Sequence, residues 1–160
     1  MERFDGFSAG DCMRGLRTFI RLQASERRLV LRTLLLVAAI RVALWVLPFQ
    51  RLQRVLKSWN SWERPPILLP NDIPVGRLVW AVRAASRRIP AASCLTQSLA
   101  LHYLLTHMGH RSEVRIGVTK DTAGSFGAHA WVECAGQPLL SDPAEVQRYV
   151  QLLTVEGKPA

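Results

Sequence analysis

The sequence predicts an α+β fold in which helices pack against one small antiparallel sheet. Apolar residues repeat with a helical period through most of the first 109 residues, and the period changes to two from residue 112 onward. Short alternating segments then follow one another with turn residues between them. Consecutive hairpin-linked strands favour an antiparallel sheet over alternating βαβ units.

The length and charge of the chain suit one domain with a basic extension. A chain of 160 residues at 49% hydrophobic content can bury one substantial core. We expect a core domain at 71–160 and a basic helical extension at 1–70 packed on it. The net charge is +9, and residues 1–64 carry 12 Lys/Arg against 5 Asp/Glu. Nucleic acid, anionic lipid or an acidic protein segment could each bind such a region.

The N-terminal part is predicted to be helical. A long apolar helix is expected from a cap at Ser25 to a stop at Pro48, followed by a basic amphipathic helix at 49–59 and a proline-rich connector. The apolar run at 34–49 contains Arg41 near its middle. A membrane span needs about 20 residues, and a central arginine costs about 2.5–3.5 kcal/mol. We therefore expect this helix to pack on protein, with membrane contact as the less favoured alternative.

Two helices are predicted in the middle of the chain. One covers 75–88, has arginines on its polar side and ends before Pro90. The other covers 94–108, with Ser93 as its N-cap and Gly109 in the left-handed position that ends a helix.

Three strands and a closing helix complete the prediction. The strands are expected at 112–118, 128–134 and 137–142, with a flexible loop at 120–127. The final stretch, at 143–153, is expected to form a short helix.

Cys94 is the first candidate for chemistry. It lies in the first turn of its predicted helix, where unpaired N–H groups and the helix dipole favour negative charge and hence a reactive thiolate. The same N–H groups could bind the oxyanion that forms when a thiolate attacks a carbonyl. A lone cysteine is also commonly a small buried hydrophobe, so Cys94 needs partners before it indicates catalysis.

His129 and Asp142 are the candidate partners of Cys94. A thiolate nucleophile needs a base, and histidine exchanges protons near neutral pH. The period of two places His129 on one strand face with Trp131 and Glu133. A two- or four-residue hairpin loop around Ala135-Gly136 puts Asp142 directly across from His129, within hydrogen-bonding reach. A three-residue loop would shift this register.

Each candidate also has a non-catalytic interpretation. His129 can be a half-buried strand histidine, and Asp142 can be the N-cap of a helix that starts at Pro143. Capping does not exclude a catalytic role for Asp142. The remaining histidines are expected to be structural or solvated, since His102 lies about 12 Å along the helix from Cys94; these are His102, His107 and His110.

The cysteines suggest neither a disulfide framework nor a metal site. Cys12, Cys94 and Cys134 are odd in number and form no CxxC pair. Cys134 is expected to pack on the strand face opposite His129, and Cys12 to be exposed. The opening residues lack the apolar segment of a signal peptide. We expect a cytoplasmic protein with reduced thiols, no metal and no cofactor of its own.

The order of these motifs resembles a known enzyme family. The chain carries CLTQSLALHYLLTHMGH, then EVRIGVTKD, then AHAWVE and a downstream SD, and the likeness covers about residues 25–145. This combination resembles the transglutaminase-like cysteine proteases of lasso-peptide maturation. The resemblance implies a transglutaminase-like or papain-like cysteine protease core at 71–160, in which Cys94, His129 and Asp142 form the catalytic triad.

The resemblance also implies a substrate and partners. Family members cleave the leader from a ribosomally made precursor peptide and expose the amine of the core peptide. A separate asparagine-synthetase-like cyclase then uses ATP to join that amine to an acidic side chain. The first 64 residues look like basic helices and not like the small leader-recognition domain of some members. The chain therefore resembles the stand-alone protease half of a split pair, with a separate leader-recognition protein.

Two other functions remain open at this stage. The same triad could transfer the acyl group to an amine, as in transglutaminases or arylamine acetyltransferases. In a different class, a non-catalytic basic helical protein could bind nucleic acid or anionic membrane through residues 14–57. No nucleic-acid partner is expected if the enzymatic interpretation holds.

Overall fold

The computed structural model of the chain describes residues 24–46, 73–120 and 125–156. Among these residues three helices come first: α1 at Ala24–Val46, α2 at Val75–Ser86 and α3 at Cys94–His107. The remaining elements are β1 at Ser112–Lys120, β2 at Phe126–Cys134, β3 at Gln137–Leu139, the one-turn helix α4 at Pro143–Val146 and β4 at Val150–Glu156.

The strands form one antiparallel sheet in the order β3-β2-β1-β4. The fold is therefore α+β, as the sequence predicts. The β2–β3 hairpin closes through Ala135 and Gly136, both with positive φ (52° and 74°), which is the geometry of a two-residue type I′ turn. The predicted register holds within this hairpin, because Cys134 pairs with Gln137 and Val132 with Leu139.

One hydrophobic core joins the three helices to one face of the sheet. Val114 of β1 and Val132 of β2 are opposed residues of that face, and both are fully buried against the helices. The helices contribute Leu29, Leu36, Val37, Ile40, Leu78, Ala81, Val82, Ala85, Leu99, Ala100, Leu101, Leu104 and Leu105. Since α1 supplies four of these side chains, it belongs to the same core as α2 and α3.

The ends of α3 follow the predicted capping pattern. Ser93 is the N-cap, and its Oγ accepts a hydrogen bond from the Thr96 amide at 3.4 Å. At the other end Gly109 has φ of 79°, and the His110 amide donates to the Leu105 carbonyl at 2.9 Å. These contacts form a Schellman motif, which glycine allows because it has no Cβ to clash in the left-handed conformation.

Several predicted boundaries were wrong. α1 already includes Ser25, so Ser25 is not its N-cap. The strand predicted at 137–142 ends at Leu139, because Leu140 has φ of 69° and turns the chain out of the sheet. The helix predicted at 143–153 stops at Val146, and the following residues form β4. The free edge of β1 accepts a fourth strand here, and this tertiary pairing overrides a weak helical pattern.

Several predictions lie outside the described residues. They concern the stop at Pro48, the helix at 49–59, the connector after it, Cys12 and residues 121–124 of the loop predicted at 120–127. The ends of that loop were predicted wrongly, because Lys120 belongs to β1 and Phe126 and Gly127 belong to β2.

α1 is long and apolar enough to cross a membrane. The candidate segment is Glu26–Val46, with a mean hydropathy of 2.2, and about a third of it is buried inside the protein. Its buried side packs on α2 and α3, while Leu35 and Trp45 are exposed on the other side at 63% and 81%. The core helix of a soluble protein can have this same length and composition, so the segment alone does not indicate a span.

His102 is a buried histidine in the middle of α3. Its Nδ1 lies 2.9 Å from Ser112 Oγ on β1, and only 7% of the residue is exposed. Burial lowers the pKa of His102 from the ordinary 6.5 to about 4, because the charged imidazolium loses its hydration. The structural role expected for His102 is confirmed.

The low pKa of His102 predicts a loss of stability in mild acid. The folded protein keeps His102 neutral down to about pH 4, whereas the unfolded chain takes up a proton near pH 6.5. The free energy of unfolding is therefore complete above pH 6.5 and falls as the pH drops towards 4, by about 3 kcal/mol in total. Urea unfolding at pH 7, 5.5 and 4.5 measures this fall.

His102→Gln is the matched control, since its amide can still bind Ser112 but does not titrate in this range. Subtracting its pH dependence removes the contribution of the carboxylates. Equal slopes for wild type and variant would contradict a buried, neutral His102.

Candidate active site

Cys94 begins α3 at the point where the helix meets the sheet. It is half-buried and carries a free thiol. The Gln97 side chain donates to the Ala92 carbonyl at 3.2 Å, and the Gln97 amide donates to the Ser93 carbonyl at 3.1 Å. The loop before Cys94 is thereby tied to the first turn of α3.

The first turn of α3 keeps two N–H groups available. Ser93 accepts from the Thr96 and Gln97 amides through its side chain and carbonyl. Within the described part of the chain, the amides of Cys94 and Leu95 make no hydrogen bond. Free amides at a helix N-terminus attract negative charge, so this turn can stabilise an oxyanion beside the thiol.

A hydrogen bond from α3 to β2 fixes where Cys94 lies. Ser98 Oγ donates to the Ala130 carbonyl at 3.0 Å, and the contact is buried. Cys94, Ser98 and His102 follow one another at four-residue spacing, which places them on one side of the helix. His102 reaches Ser112, whose strand partner is Cys134, and Ser98 reaches Ala130. The next step of this row, Cys94, therefore lies beyond Ser98 in the direction of the N-terminal end of β2.

The Ala130 carbonyl lies at an open edge of β2. In the two-residue hairpin, Cys134 and Gln137 form the closing hydrogen-bonded pair, so alternate residues of β2 direct their backbone groups towards β3. Ala130 belongs to this set, but among the described residues β3 pairs only with residues 132–134. Ser98 thus donates a hydrogen bond to a backbone carbonyl that the short β3 does not reach.

His129 leaves β2 on the face away from the helices. Val132 points into the helical core, whereas His129 stacks on Trp131 with ring centroids 6.2 Å apart and planes inclined by 16°. The predicted grouping of His129 with Trp131 on one face is confirmed. α3 packs on the other face, and among the described residues no hydrogen bond joins Cys94 to His129.

A second aromatic ring holds the imidazole from the β4 side. Tyr149, directly before β4, has its ring centroid 5.2 Å from that of His129 and 6.4 Å from that of Trp131. Tyr149 was not among the residues predicted for the site. Tyr149 was missed because a helix was predicted at 143–153. It is the strand β4 that brings Tyr149 next to β1.

The hydrogen-bonding partner of His129 is Ser141. The Nε2 atom of His129 lies 2.9 Å from Ser141 Oγ. Asp142 is exposed, and its Oδ1 accepts from the Ala144 amide at 2.8 Å as the N-cap of α4. No hydrogen bond among the described residues joins Asp142 to His129.

The direct pairing of Asp142 with His129 across the hairpin was therefore wrong, although the register behind it was correct. β3 ends three residues before Asp142, and the turn at Leu140 carries the chain away from the ladder. The membership of Asp142 in a triad stays a prediction.

The face of the sheet that carries His129 and Trp131 also carries charged side chains. The indole N–H of Trp131 donates to Glu133 at 3.0 Å, and Glu133 pairs with Arg115 at 2.9 Å. Arg115 also contacts Glu113 at 3.3 Å and Gln151 at 2.9 Å. This cross-strand network holds the Trp131 ring under His129. The sequence signal for it is the two-residue alternation that puts Glu113, Arg115 and Glu133 on the same face of the sheet.

Gly117 makes room for the aromatic rings. It is the strand partner of His129, on the same face. A Cβ added there would lie 2.9 Å from the Cβ of Tyr149 and 3.1 Å from two ring atoms of Trp131. The glycine of the predicted strand therefore lets both rings pack directly on the backbone of β1.

Across the described residues no group of three or more His, Cys, Asp or Glu side chains could hold a metal ion.

A protein-family model matches the chain. Residues 34–154, about three quarters of the chain, match the family model described as the transglutaminase-like superfamily. The matched range contains Cys94, His129 and Asp142. No curated protein sequence and no solved structure matches the chain.

Gly117→Ala tests the close packing under the imidazole. The added methyl group forces Tyr149 or Trp131 to move, and overpacking of this kind costs about 1–3 kcal/mol of unfolding free energy. Chemical denaturation followed by tryptophan fluorescence measures the loss.

Gly76→Ala is the matched control, because nothing lies within 4 Å of the Cβ it would add. Alanine within a helix stabilises it relative to glycine by up to about 1 kcal/mol. If Gly117→Ala is no less stable than the wild type, the packing of Trp131 and Tyr149 on Gly117 is incorrect.

Proposed function

The chain belongs to the transglutaminase-like superfamily, and we propose that it is a cysteine peptidase that removes the leader from a ribosomally made lasso-peptide precursor. Members of this superfamily are generally cysteine peptidases or acyltransferases. The single observation that carries a cysteine mechanism is the meeting of the first turns of α3 with the His129 segment of β2 through Ser98 and Ala130.

The proposed reaction begins with proton transfer from Cys94 to His129. The thiolate attacks the scissile carbonyl carbon, and the free amides of Cys94 and Leu95 lie where the oxyanion would form. The C–N bond breaks as the imidazolium returns the proton to the leaving amine. Water then attacks the thioester with His129 as base, and Cys94 regains its proton. The leader departs with a new carboxyl group, and the core peptide keeps its free amine.

Asp142 is proposed as the third member of the site. The triad that the motif resemblance implies includes it, and it directly follows Ser141, the residue that binds His129. Its carboxylate caps α4, so it also holds the segment that carries Ser141 in place. A negative charge at this position favours the imidazolium that forms during proton transfer.

The lasso-peptide specificity rests on the order of motifs in the sequence. A helix-opening cysteine, the EVRIGV strand, AHAWVE and the later SD pair occur together and in the order of the leader peptidases. In this proposal the protein uses no cofactor of its own and acts in the cytoplasm. A separate recognition protein presents the leader against the basic N-terminal region, and an ATP-dependent cyclase consumes the exposed amine.

Acyl transfer to an amine is the second candidate function. The superfamily match supports it as well as hydrolysis, because both share the thioester intermediate. A reaction supplemented with a small primary amine separates the two. Hydrolysis gives a leader with a free carboxyl group, and transfer gives the corresponding amide, which differs in mass.

Replacement of Cys94 or His129 should abolish leader release. The full chain is mixed with precursor peptide and recognition protein, and the products are followed by mass spectrometry. Cys94→Ala should give no thioester and no product, and His129→Ala should lower the rate by about 10²- to 10⁴-fold, the usual contribution of a general acid-base group.

Cys134→Ala and His110→Ala are the matched controls, since both residues lie outside the proposed site. They should cleave at the wild-type rate. Wild-type cleavage by Cys94→Ala would rule out the proposed nucleophile, and a precursor left intact by the wild-type protein would argue against the lasso-peptide substrate.

A further inference from the structure

The His129 imidazole is held by three contacts of two kinds. Trp131 and Tyr149 pack near its faces, with ring centroids 6.2 Å and 5.2 Å away. These contacts fix the plane of the ring but do not determine how it is turned within that plane. The hydrogen bond between Nε2 and Ser141 Oγ, at 2.9 Å, fixes that rotation.

We propose that Ser141 is the positioning residue for His129. Its hydroxyl accepts the Nε2 hydrogen and leaves Nδ1 as the nitrogen that exchanges a proton with Cys94. This inference rests on the proposed cysteine chemistry, and it does not depend on which peptide is the substrate.

The backbone around Ser141 is built to bring its hydroxyl to the imidazole. Continued pairing of β3 would put Ser141 across from Ala130, on the side that faces the helices. Instead Leu140 adopts φ of 69° and diverts the chain. Directly after Ser141, Asp142 caps α4 through Ala144. Ser141 is thus bracketed by a turn on one side and a helix cap on the other.

The same short segment also supplies one of the aromatic contacts. After α4 the chain turns and reaches Tyr149, whose ring lies beside His129. Residues 140–149 therefore provide both the partner of Nε2 and one wall of the imidazole. The coincidence of the two contacts on one segment indicates that this segment positions His129.

The proposed chemistry uses the tautomer in which Nε2 carries the hydrogen and Ser141 accepts it. With hydrogen on Nε2 and Ser141 as acceptor, Nδ1 has a free lone pair. The thiol proton then passes to Nδ1, and the ring becomes an imidazolium with both nitrogens protonated. Ser141 remains an acceptor in that state, so no rearrangement accompanies proton transfer. Nδ1 later donates its proton to the leaving amine.

Asp142 differs from Ser141 in what it contacts. Its carboxylate accepts a hydrogen bond from the Ala144 amide, and the residue is exposed. Asparagine caps a helix about as well as aspartate, so Asp142→Asn removes the charge and keeps the cap. Ser141→Ala removes the hydroxyl next to His129 and leaves Asp142 unchanged. The two variants therefore separate charge from positioning.

Alkylation of Cys94 by iodoacetamide tests the proposal without a peptide substrate. The thiolate displaces iodide and forms a carbon–sulfur bond, so the rate reports how readily Cys94 loses its proton. The full-length protein is alkylated between pH 6 and 9, and peptide mapping by mass spectrometry gives separate rates for Cys94 and Cys134. Cys134 serves as the internal control in each sample.

In the wild type, His129 should keep Cys94 reactive below neutral pH. For Ser141→Ala, we expect the ratio of the Cys94 rate at pH 6.5 to that at pH 9 to fall about tenfold, since a hydrogen bond to a charged group is lost. Ser141→Thr retains a hydroxyl and should restore the ratio. The Cys134 ratio should be the same in all variants, and circular dichroism confirms that each one is folded.

Two results would overturn the role of Ser141. One is a wild-type profile for Ser141→Ala together with a shifted profile for Asp142→Asn, which would make the carboxylate the positioning group. The other is a Cys94 profile that His129→Ala leaves unchanged, which would separate the histidine from the thiol altogether.

The peptide-cleavage experiment and the alkylation experiment test different claims, so either can fail without the other. A precursor left intact, with the expected alkylation profiles, would reject the lasso-peptide substrate and keep Ser141 as the positioning residue. The opposite result is also possible to recognise. If the wild type cleaves the precursor, and Ser141→Ala has the same cleavage rate and the same pH profile of Cys94 alkylation, the peptidase function stands and the role of Ser141 is rejected.

Discussion

The hydrogen bond from Ser98 to the Ala130 carbonyl connects the two elements on which the proposed chemistry depends. It can form because β3 stops at Leu139 and leaves the edge of β2 open beyond that point. A longer β3 would take the Ala130 carbonyl for its own ladder and exclude the first turns of α3. The early end of β3 therefore both admits the helix that carries Cys94 and releases Ser141 to reach His129.

His102 and His129 have different surroundings, and these give the two residues different roles. His102 is buried under β1, hydrogen-bonded to Ser112, and its pKa is lowered to about 4. A group that stays neutral throughout the physiological range adds packing but no proton transfer. His129 is half-buried on the other face, with aromatic neighbours and a hydroxyl at one nitrogen. Its second nitrogen remains for a reacting partner.

Local patterns predicted most of the fold where short-range geometry decides the outcome. The caps at Ser93 and Gly109 and the Ala135-Gly136 turn depend on residues within about five positions of each other, and all three were correct. The last strand was missed for the opposite reason. Residues 150–156 pair with β1, whose partner residues lie 32–43 positions earlier in the sequence. Their identity as a strand follows from the free edge of β1, which a local pattern does not contain.

The sequence by itself determined the α+β class, the position of Cys94 at a helix N-terminus and the face of β2 that holds His129. Each follows from a local period or cap that holds in any tertiary setting. Only the tertiary structure decided that Ser141 binds His129, that Asp142 caps α4, and that Tyr149 packs beside the imidazole. These contacts depend on one backbone turn at Leu140 and on the docking of β4, which bring together residues whose spacing in the sequence has no period.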